Sequence, residues 1–293
     1  MFNFPTGALQ KPSFVMEKYW SLLANKDAPV EVSAAAVVAA VHMSLSAKKY
    51  EDMRETPAQV ADRLRRSYGD DAILVCILGG TSLANKKKDD SKALVLAMAQ
   101  KLGQTMPPTV KFVTGGMEGV QRAFARNCGN GSNLLNILPE GQASGYGVGT
   151  DINGGANLEE RKTIFGLIGD IYITAGGGPG VSQEASMAHA RGAAIVPLMR
   201  SGGASSGMFN FPNGALLKPH FATQDQWSAL ANKTISVEES VAALVEIVQA
   251  YVAPTHVAAG PQSVSRGHIA QEERSAPSPC PAGSSASTPL LLT

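Results

Sequence analysis

Ile171-Tyr172-Ile173-Thr174-Ala175-Gly176-Gly177-Gly178-Pro179-Gly180-Val181-Ser182-Gln183-Glu184-Ala185 passes from an apolar run through a glycine-rich turn into a run of helix formers. A strand that turns on glycines and starts a helix leaves backbone N–H groups unpaired at the helix N-terminus, where the macrodipole favours an anion such as phosphate. Tight packing alone would also explain the turn, because short glycine motifs recur by chance. Its neighbours decide between the two.

Upstream, Ala72-Ile73-Leu74-Val75-Cys76-Ile77-Leu78 is a continuous apolar run of strand length, as expected of a parallel strand buried on both faces. It ends in Gly79-Gly80-Thr81-Ser82, and a helix follows from Ser91 to about Gly103. Val110 to Thr114 is the next strand, closed by Gly115-Gly116-Met117-Glu118-Gly119 and a helix to about Asn127. A third strand, Leu134 to Leu138, leads into a glycine-rich loop over 139–157 that reads as a lid over the site or as an insertion without order. A helix over 158–168, a strand from Asp170 to Thr174, a helix over 182–191 and a strand from Ala193 to Leu198 complete the alternation. Strand and helix in regular turn predict an α/β fold, a Rossmann-like doubly wound parallel sheet with helices on both faces. Ligands of such sheets bind beyond the carboxyl ends of the strands, where the glycine-rich ends 79–82, 114–119 and 175–180 should lie side by side.

The flanks carry a repeat. Met1-Phe2-Asn3-Phe4-Pro5-Thr6-Gly7-Ala8-Leu9-Gln10-Lys11-Pro12 returns as Met208-Phe209-Asn210-Phe211-Pro212-Asn213-Gly214-Ala215-Leu216-Leu217-Lys218-Pro219. The match continues through Trp20-Ser21 and Leu23-Ala24-Asn25-Lys26 against Trp227-Ser228 and Leu230-Ala231-Asn232-Lys233, at roughly two-thirds identity. An Ala/Val-rich helix is expected after each copy, at 32–43 and at 237–251. Residues 1–45 therefore read as the C-terminal segment of an upstream domain copy, or alternatively as an independent docking arm. Residues 46–70 are expected to form a linker and a surface helix, with Arg63, Arg65 and Arg66 on a solvated face rather than in a ligand patch. The domain itself spans 71–253. From 254 to 293 the chain is rich in Pro, Ser, Ala and Gly, a composition that cannot offset its ordering entropy, and disorder is expected.

At 293 residues and 44% hydrophobic composition the chain can build one sizeable α/β core. Its net charge of +1 gives no reason to expect nucleic acid or an anionic membrane as a partner. Cys76, Cys128 and Cys280 are scattered and show no metal-binding spacing, so they read as reduced thiols and no metal site is expected. No apolar run reaches the roughly 18–20 residues of a membrane span, and Met1-Phe2-Asn3-Phe4-Pro5 lacks the features of a secretory signal, which makes the cytoplasm the expected location.

Four segments, in order and spacing, resemble the Lonely Guy family: Gly79-Gly80-Thr81-Ser82-Leu83-Ala84-Asn85-Lys86, Thr114-Gly115-Gly116-Met117-Glu118-Gly119-Val120, Leu158-Glu159-Glu160-Arg161-Lys162-Thr163-Ile164, and Gly177-Gly178-Pro179-Gly180-Val181-Ser182-Gln183-Glu184. The wider Rossmann-like superfamily includes cytokinin-activating phosphoribohydrolases, proteins labelled lysine decarboxylases, and molybdenum-cofactor carriers. The resemblance implies a nucleoside 5′-monophosphate or another phosphorylated small molecule as ligand, and a homodimer with the site near the subunit interface, or an equivalent pairing of tandem domains. It implies catalytic roles for Arg161 and Glu184, and phosphate or nucleotide binding by Gly79, Gly80, Thr81, Gly115, Gly116, Gly119, Gly177, Gly178, Gly180, Val181 and Ser182. No cofactor is required for hydrolysis; the carrier branch instead implies a bound nucleotide or molybdenum cofactor. Breaking an N-glycosidic bond builds positive charge on the sugar, which a carboxylate at Glu184 would stabilise while Arg161 binds phosphate or orients that carboxylate. The alternative is an ion pair between two helix starts. Pyridoxal-phosphate chemistry is not expected, since no strand-borne lysine has the partners it needs. The chain departs from the family pattern at Gly176 where proline is usual, at Val181 where threonine is usual, and at Gln183 where the first glutamate of a pair is usual.

Overall fold

Six strands, all parallel, form one sheet in a computed structural model that describes residues 11–52, 54–83 and 90–253. The tail over 254–293, the first ten residues of the repeat, Cys280, and Ala84, Asn85 and Lys86 of the first family-like segment lie outside the described residues. The strands are β1 (Ile73–Gly79), β2 (Val110–Thr114), β3 (Leu134–Leu138), β4 (Thr150–Asn153), β5 (Ile171–Ala175) and β6 (Ala194–Leu198). The helices are α1 (Glu17–Ala24), α2 (Val30–Asp52), α3 (Pro57–Ser67), α4 (Ser91–Thr105), α5 (Val120–Ala125), α6 (Leu158–Ile168), α7 (Pro179–Ala190), α8 (Gln224–Ala229) and α9 (Val237–Val252).

The sheet order is β4-β3-β2-β1-β5-β6. The chain builds outward from β1 on one side as far as β4, then crosses back and lays β5 and β6 on the other. The switch falls between β1 and β5, which pair in register from Val75 opposite Ile171 to Gly79 opposite Ala175. Every residue of β1 is buried, because both faces of the sheet are covered. Ile73, Val75 and Ile77 face one layer with α4, α5 and α9, where Leu94, Met98, Phe124, Leu244 and Val248 pack. Leu74, Cys76 and Leu78 face the other layer with α3, α6 and α7, where Leu64, Ile164, Phe165 and Ala185 pack. The expected doubly wound architecture is present.

Several local expectations are corrected. The loop over 139–157 contains β4, a polar edge strand of sequence Thr-Asp-Ile-Asn paired in parallel with β3. The loop is also pinned: Asp151 accepts hydrogen bonds from Asn136 Nδ2 (3.0 Å), Ser144 Oγ (2.7 Å) and Ser144 N (2.9 Å), while Asn136 Oδ1 accepts from Thr114 Oγ1 (2.8 Å). Tyr146 is buried in the core and donates to the Met117 carbonyl. A segment tied at so many points is neither a free lid nor an unordered insertion. α7 starts at Pro179 rather than Ser182, because proline fits the first helical position, where no N–H is needed. Helix α2 runs on to Asp52, so residues 46–52, read as linker, are helical. The solvated face expected for the 63–66 arginines holds, with Arg63 and Arg66 exposed; on it Arg63 pairs with Glu55 (2.9 Å), and half-buried Arg65 pairs with Asp170, which also accepts from Leu74 N (2.8 Å).

The outer strands are β4 and β6, and β6 carries Pro197 opposite Thr174 of β5. Among the described residues no helix is long and apolar enough to cross a membrane.

Candidate functional site

The order β2-β1-β5 places three glycine-rich strand ends side by side at the carboxyl edge, around the switch between β1 and β5. They divide into packing glycines and open ones. A Cβ on Gly79 would overlap the Val120 side chain, and one on Gly119, at φ +76°, would strike the backbone of Gly80 and Thr81. The first two turns are thereby closed on each other, with Val120 N donating to Gly80 O (3.0 Å) and Gly80 N to Ala175 O (3.2 Å). In the second turn, Gln121 Oε1 accepts from Gly115 N (2.9 Å) and Met117 N (3.0 Å), and Thr114 Oγ1 accepts from Gly116 N (3.4 Å). The N–H groups of Gly80, Gly115 and Gly116 are thus taken within the fold. Thr81 lies exposed at the rim.

The third turn differs. Its glycines Gly176 and Gly177 take positive φ, +61° and +92°, and are braced from behind by the segment after β6. There Ser201 Oγ accepts from Gly176 N (2.7 Å), Ala204 N donates to Gly177 O (2.9 Å), and Ser205 Oγ donates to Gly176 O (2.9 Å). Beyond this brace the turn opens: a Cβ at Gly178 or Gly180 would meet nothing within 4 Å. The N–H groups of Gly180 and Val181 precede the first turn-closing bond of α7, Ser182 N to Gly178 O (3.2 Å). They sit where a helix leaves its donors unpaired. Val181 packs its side chain on Gly177 and into the core, so it can offer a ligand its backbone alone, and Ser182 is buried as well. A cavity of about 180 Å³ lies between the turns, lined by Gly80, Ser82, Val120, Gly176, Gly177 and Ser201 among others. It is smaller than the roughly 300–1,000 Å³ of pockets that enclose whole ligands.

Behind the cradle lies a buried ion pair. Arg161, in the first turn of α6, places Nη1 2.9 Å from Oε1 of Glu184 on α7, with 2% and 6% of the residues exposed. Asn157 caps α6 by accepting from Glu159 N and Glu160 N (both 3.0 Å), which fixes the turn that carries Arg161. Gly115 leaves room for the guanidinium: a Cβ there would fall 2.5 Å from Nη1. Arg161 Nε is buried without a hydrogen-bond partner, and native proteins carry few such orphaned donors. Burial pushes the Glu184 carboxyl up to about 7, against the charges of Arg161 and Lys162 and the Arg161 hydrogen bond. Such a group can hold or release a proton near neutrality. Burial likewise raises the thiols of Cys76 and Cys128, leaving neither as a ready nucleophile.

The structure thus joins Arg161, Glu184 and Gly115 in one contact and leaves the Gly180 and Val181 amides at the start of α7, before its first turn-closing bond. Gln121, Ser201 and Ser205 are additions. The pair Gly202-Gly203 after the last strand was the available signal, since Gly203, at φ +58°, lies so close to the Gly177 carbonyl that no Cβ fits. Among the described residues no three His, Cys, Asp or Glu side chains cluster to hold a metal.

No protein-family model and no curated protein matches the chain. Among solved structures, it is similar to a structural-genomics protein designated TM1055 (20% identity, TM-score 0.41, 46% of this chain and 79% of that one). It is similar also to the molybdenum cofactor carrier protein of Chlamydomonas reinhardtii (16% identity, TM-score 0.42, 61% and 99%). A third is DNA processing protein A of Helicobacter pylori, described for its single-stranded DNA binding mode (15% identity, TM-score 0.35, 44% and 66%). The Rossmann-like assignment rests on the strand order and the two helical layers seen in this chain.

Proposed function

We propose that the protein binds a nucleoside 5′-monophosphate or a closely related phosphorylated ligand at the β1/β5 switch. The observation that carries this is the turn over 176–181, held rigid from behind by Ser201 and Ser205 while Gly178 and Gly180 face open space. The phosphate would accept from the N–H groups of Gly180 and Val181 at the positive end of α7. Thr81 and Ser82 at the rim and the packed turns of Gly79, Gly80 and Gly119 would shape the wall beside the sugar.

The reaction this arrangement supports is hydrolysis of the N-glycosidic bond, as the family resemblance implies. Water adds to the anomeric carbon as the bond to the base breaks; Glu184 takes the water's proton, and the base leaves with a proton from solvent, giving ribose 5-phosphate and free base. Glu184 must be ionised for this step. Arg161 holds the carboxylate in place. A second reading has a specific observation in its favour: Glu184 is already paired and almost wholly buried, which suits a carrier that holds a nucleotide-like cofactor, the molybdenum cofactor included, without turning it over. For that group the same open amides would hold the phosphate. Nothing in the net charge or the site calls for nucleic acid or a membrane, and a cytoplasmic protein acting as a homodimer or a tandem pair fits either reading.

Thermal-shift titration with AMP and N6-substituted AMP, followed by chromatography for released base, tests both. Hydrolysis predicts a raised Tm and free base, with Glu184→Gln retaining the shift and losing base release by at least ~100-fold. A shift without base supports the carrier reading. No shift with any nucleotide or pterin cofactor overturns the binding site itself.

A further inference from the structure

The two copies of the repeat align at a constant offset of 207 residues, from Met1 opposite Met208 past Trp20 opposite Trp227 to Val41 opposite Val248. They also fold alike. α1 packs against α2 as α8 packs against α9, and Ala36 of α2 is buried as its counterpart Ala243 is. The copies differ in what lies across from the hairpin. α9 lays Leu244, Val245 and Val248 on α4, where they are 0%, 3% and 0% exposed. Their counterparts in α2, Val37, Val38 and Val41, are 50%, 54% and 50% exposed.

A second element of that interface is polar. Arg200, buried at the end of β6, donates to the carbonyls of Ile235 (3.1 Å) and Ser236 (2.9 Å) and to Ser240 Oγ, gripping the start of α9. At the same offset the first copy keeps a serine, Ser33, opposite Ser240. The first hairpin thus keeps both the apolar stripe and the hydroxyl of a surface that, in the second hairpin, serves one purpose: to cover the α4 layer of a parallel α/β core and engage its arginine. A stripe of three valines at half exposure, next to a sequence that retains Trp20 and Leu23, is costly on a surface with no partner.

We infer that α1–α2 is the lobe of another core, and that its exposed face docks on a second parallel α/β core of this build, one that presents an apolar α4-type helix and an arginine at the end of its last strand. The chain's own core does not serve, because α9 already covers that layer.

The test keeps the full chain and places a second copy of residues 54–207 directly before Met1. The new junction then reproduces the step from Gly207 to Met208. Calorimetry of this extended chain should show an unfolding enthalpy larger than the parent's in proportion to the residues added. Limited proteolysis should cut within 11–45 at least ~10-fold more slowly than in the parent, and Val37→Asp with Val41→Asp should abolish both effects. An extended chain whose enthalpy equals the parent's, with residues 11–45 cleaved as fast as before, overturns the proposal. So does a parent chain that forms dimers cross-linked α2 to α2 and dispersed by Val41→Asp, since the stripe would then belong to a second α2. A parent that sediments as a monomer with or without Val41→Asp supports it.

Discussion

Glu184 is the buried carboxyl of the candidate site, and its environment makes a statement about pH. Its carboxyl titrates near the ordinary 4.5 in the unfolded chain, whereas burial carries it up to about 7 in the fold. Between those values the folded state holds more protons than the unfolded state, so stability is fullest below about 4.5 and declines as pH rises through about 7. The decline is up to about 3 kcal/mol, bounded by the size of the shift. Urea midpoints measured from about pH 5 to about pH 7.5 should fall in the parent and stay level in Glu184→Gln. A parallel slope in the two proteins would place the titration elsewhere. Arg161 explains why the carboxylate is tolerated at all: removing one partner of a buried pair leaves the other charge uncompensated, which is far costlier than the pair is stabilising. In urea denaturation Glu184→Leu should accordingly cost more than Arg161→Met, because a guanidinium keeps its charge whereas a lone buried carboxyl neutralises itself by taking up a proton.

At the scale of elements, β4 shows what pattern alone conveys and what it does not. β1, β2, β3, β5 and β6 were legible because each is an apolar run of strand length between glycines or helices. β4 was not. Its four residues, Thr-Asp-Ile-Asn, sit at a sheet edge where polar side chains are tolerated, and its pairing depends on Asn136 and Ser144, residues that carry no strand signal. Burial opposes an ionised Asp151, yet the Ser144 N–H and hydroxyl and the Asn136 amide hold its carboxyl below the usual range. Asp151→Ala should therefore release the strand, at a cost of about 1–3 kcal/mol. Hydrogen exchange at the amides of 150–153 should speed up while those of β1 keep their protection, and unchanged exchange in β4 would show that the network is ornamental. The site divides in the same way. The glycine turns and the Arg161–Glu184 pair could be picked out from spacing and resemblance, whereas Ser201 and Ser205 act on a turn reached only after the chain has folded back, and Gln121, though it acts on the turn just before it, belongs to no motif.

Across the whole molecule, the duplicated hairpins give an internal control on packing. Leu244 and Val37 occupy equivalent positions, one in the core and one at the surface. Leu244→Ala should cost about 2–5 kcal/mol, mostly from the cavity left against α4. Val37→Ala should change stability by less than about 0.5 kcal/mol. Chemical denaturation of the two variants side by side checks this, and comparable losses would mean that α2 is held by a surface of its own chain.

The rim of the sheet has a consequence for the protein's life in a crowded solution. An open parallel sheet has two outer strands, and each is a template on which a stray strand from another molecule could grow. One rim ends in four mostly polar residues with an aspartate among them, too short to nucleate a foreign ladder. The other carries Pro197, whose ring removes a donor from the row that would greet a newcomer. A fold whose strands all run one way, with its turns open at their ends, is thereby kept from recruiting company along their sides.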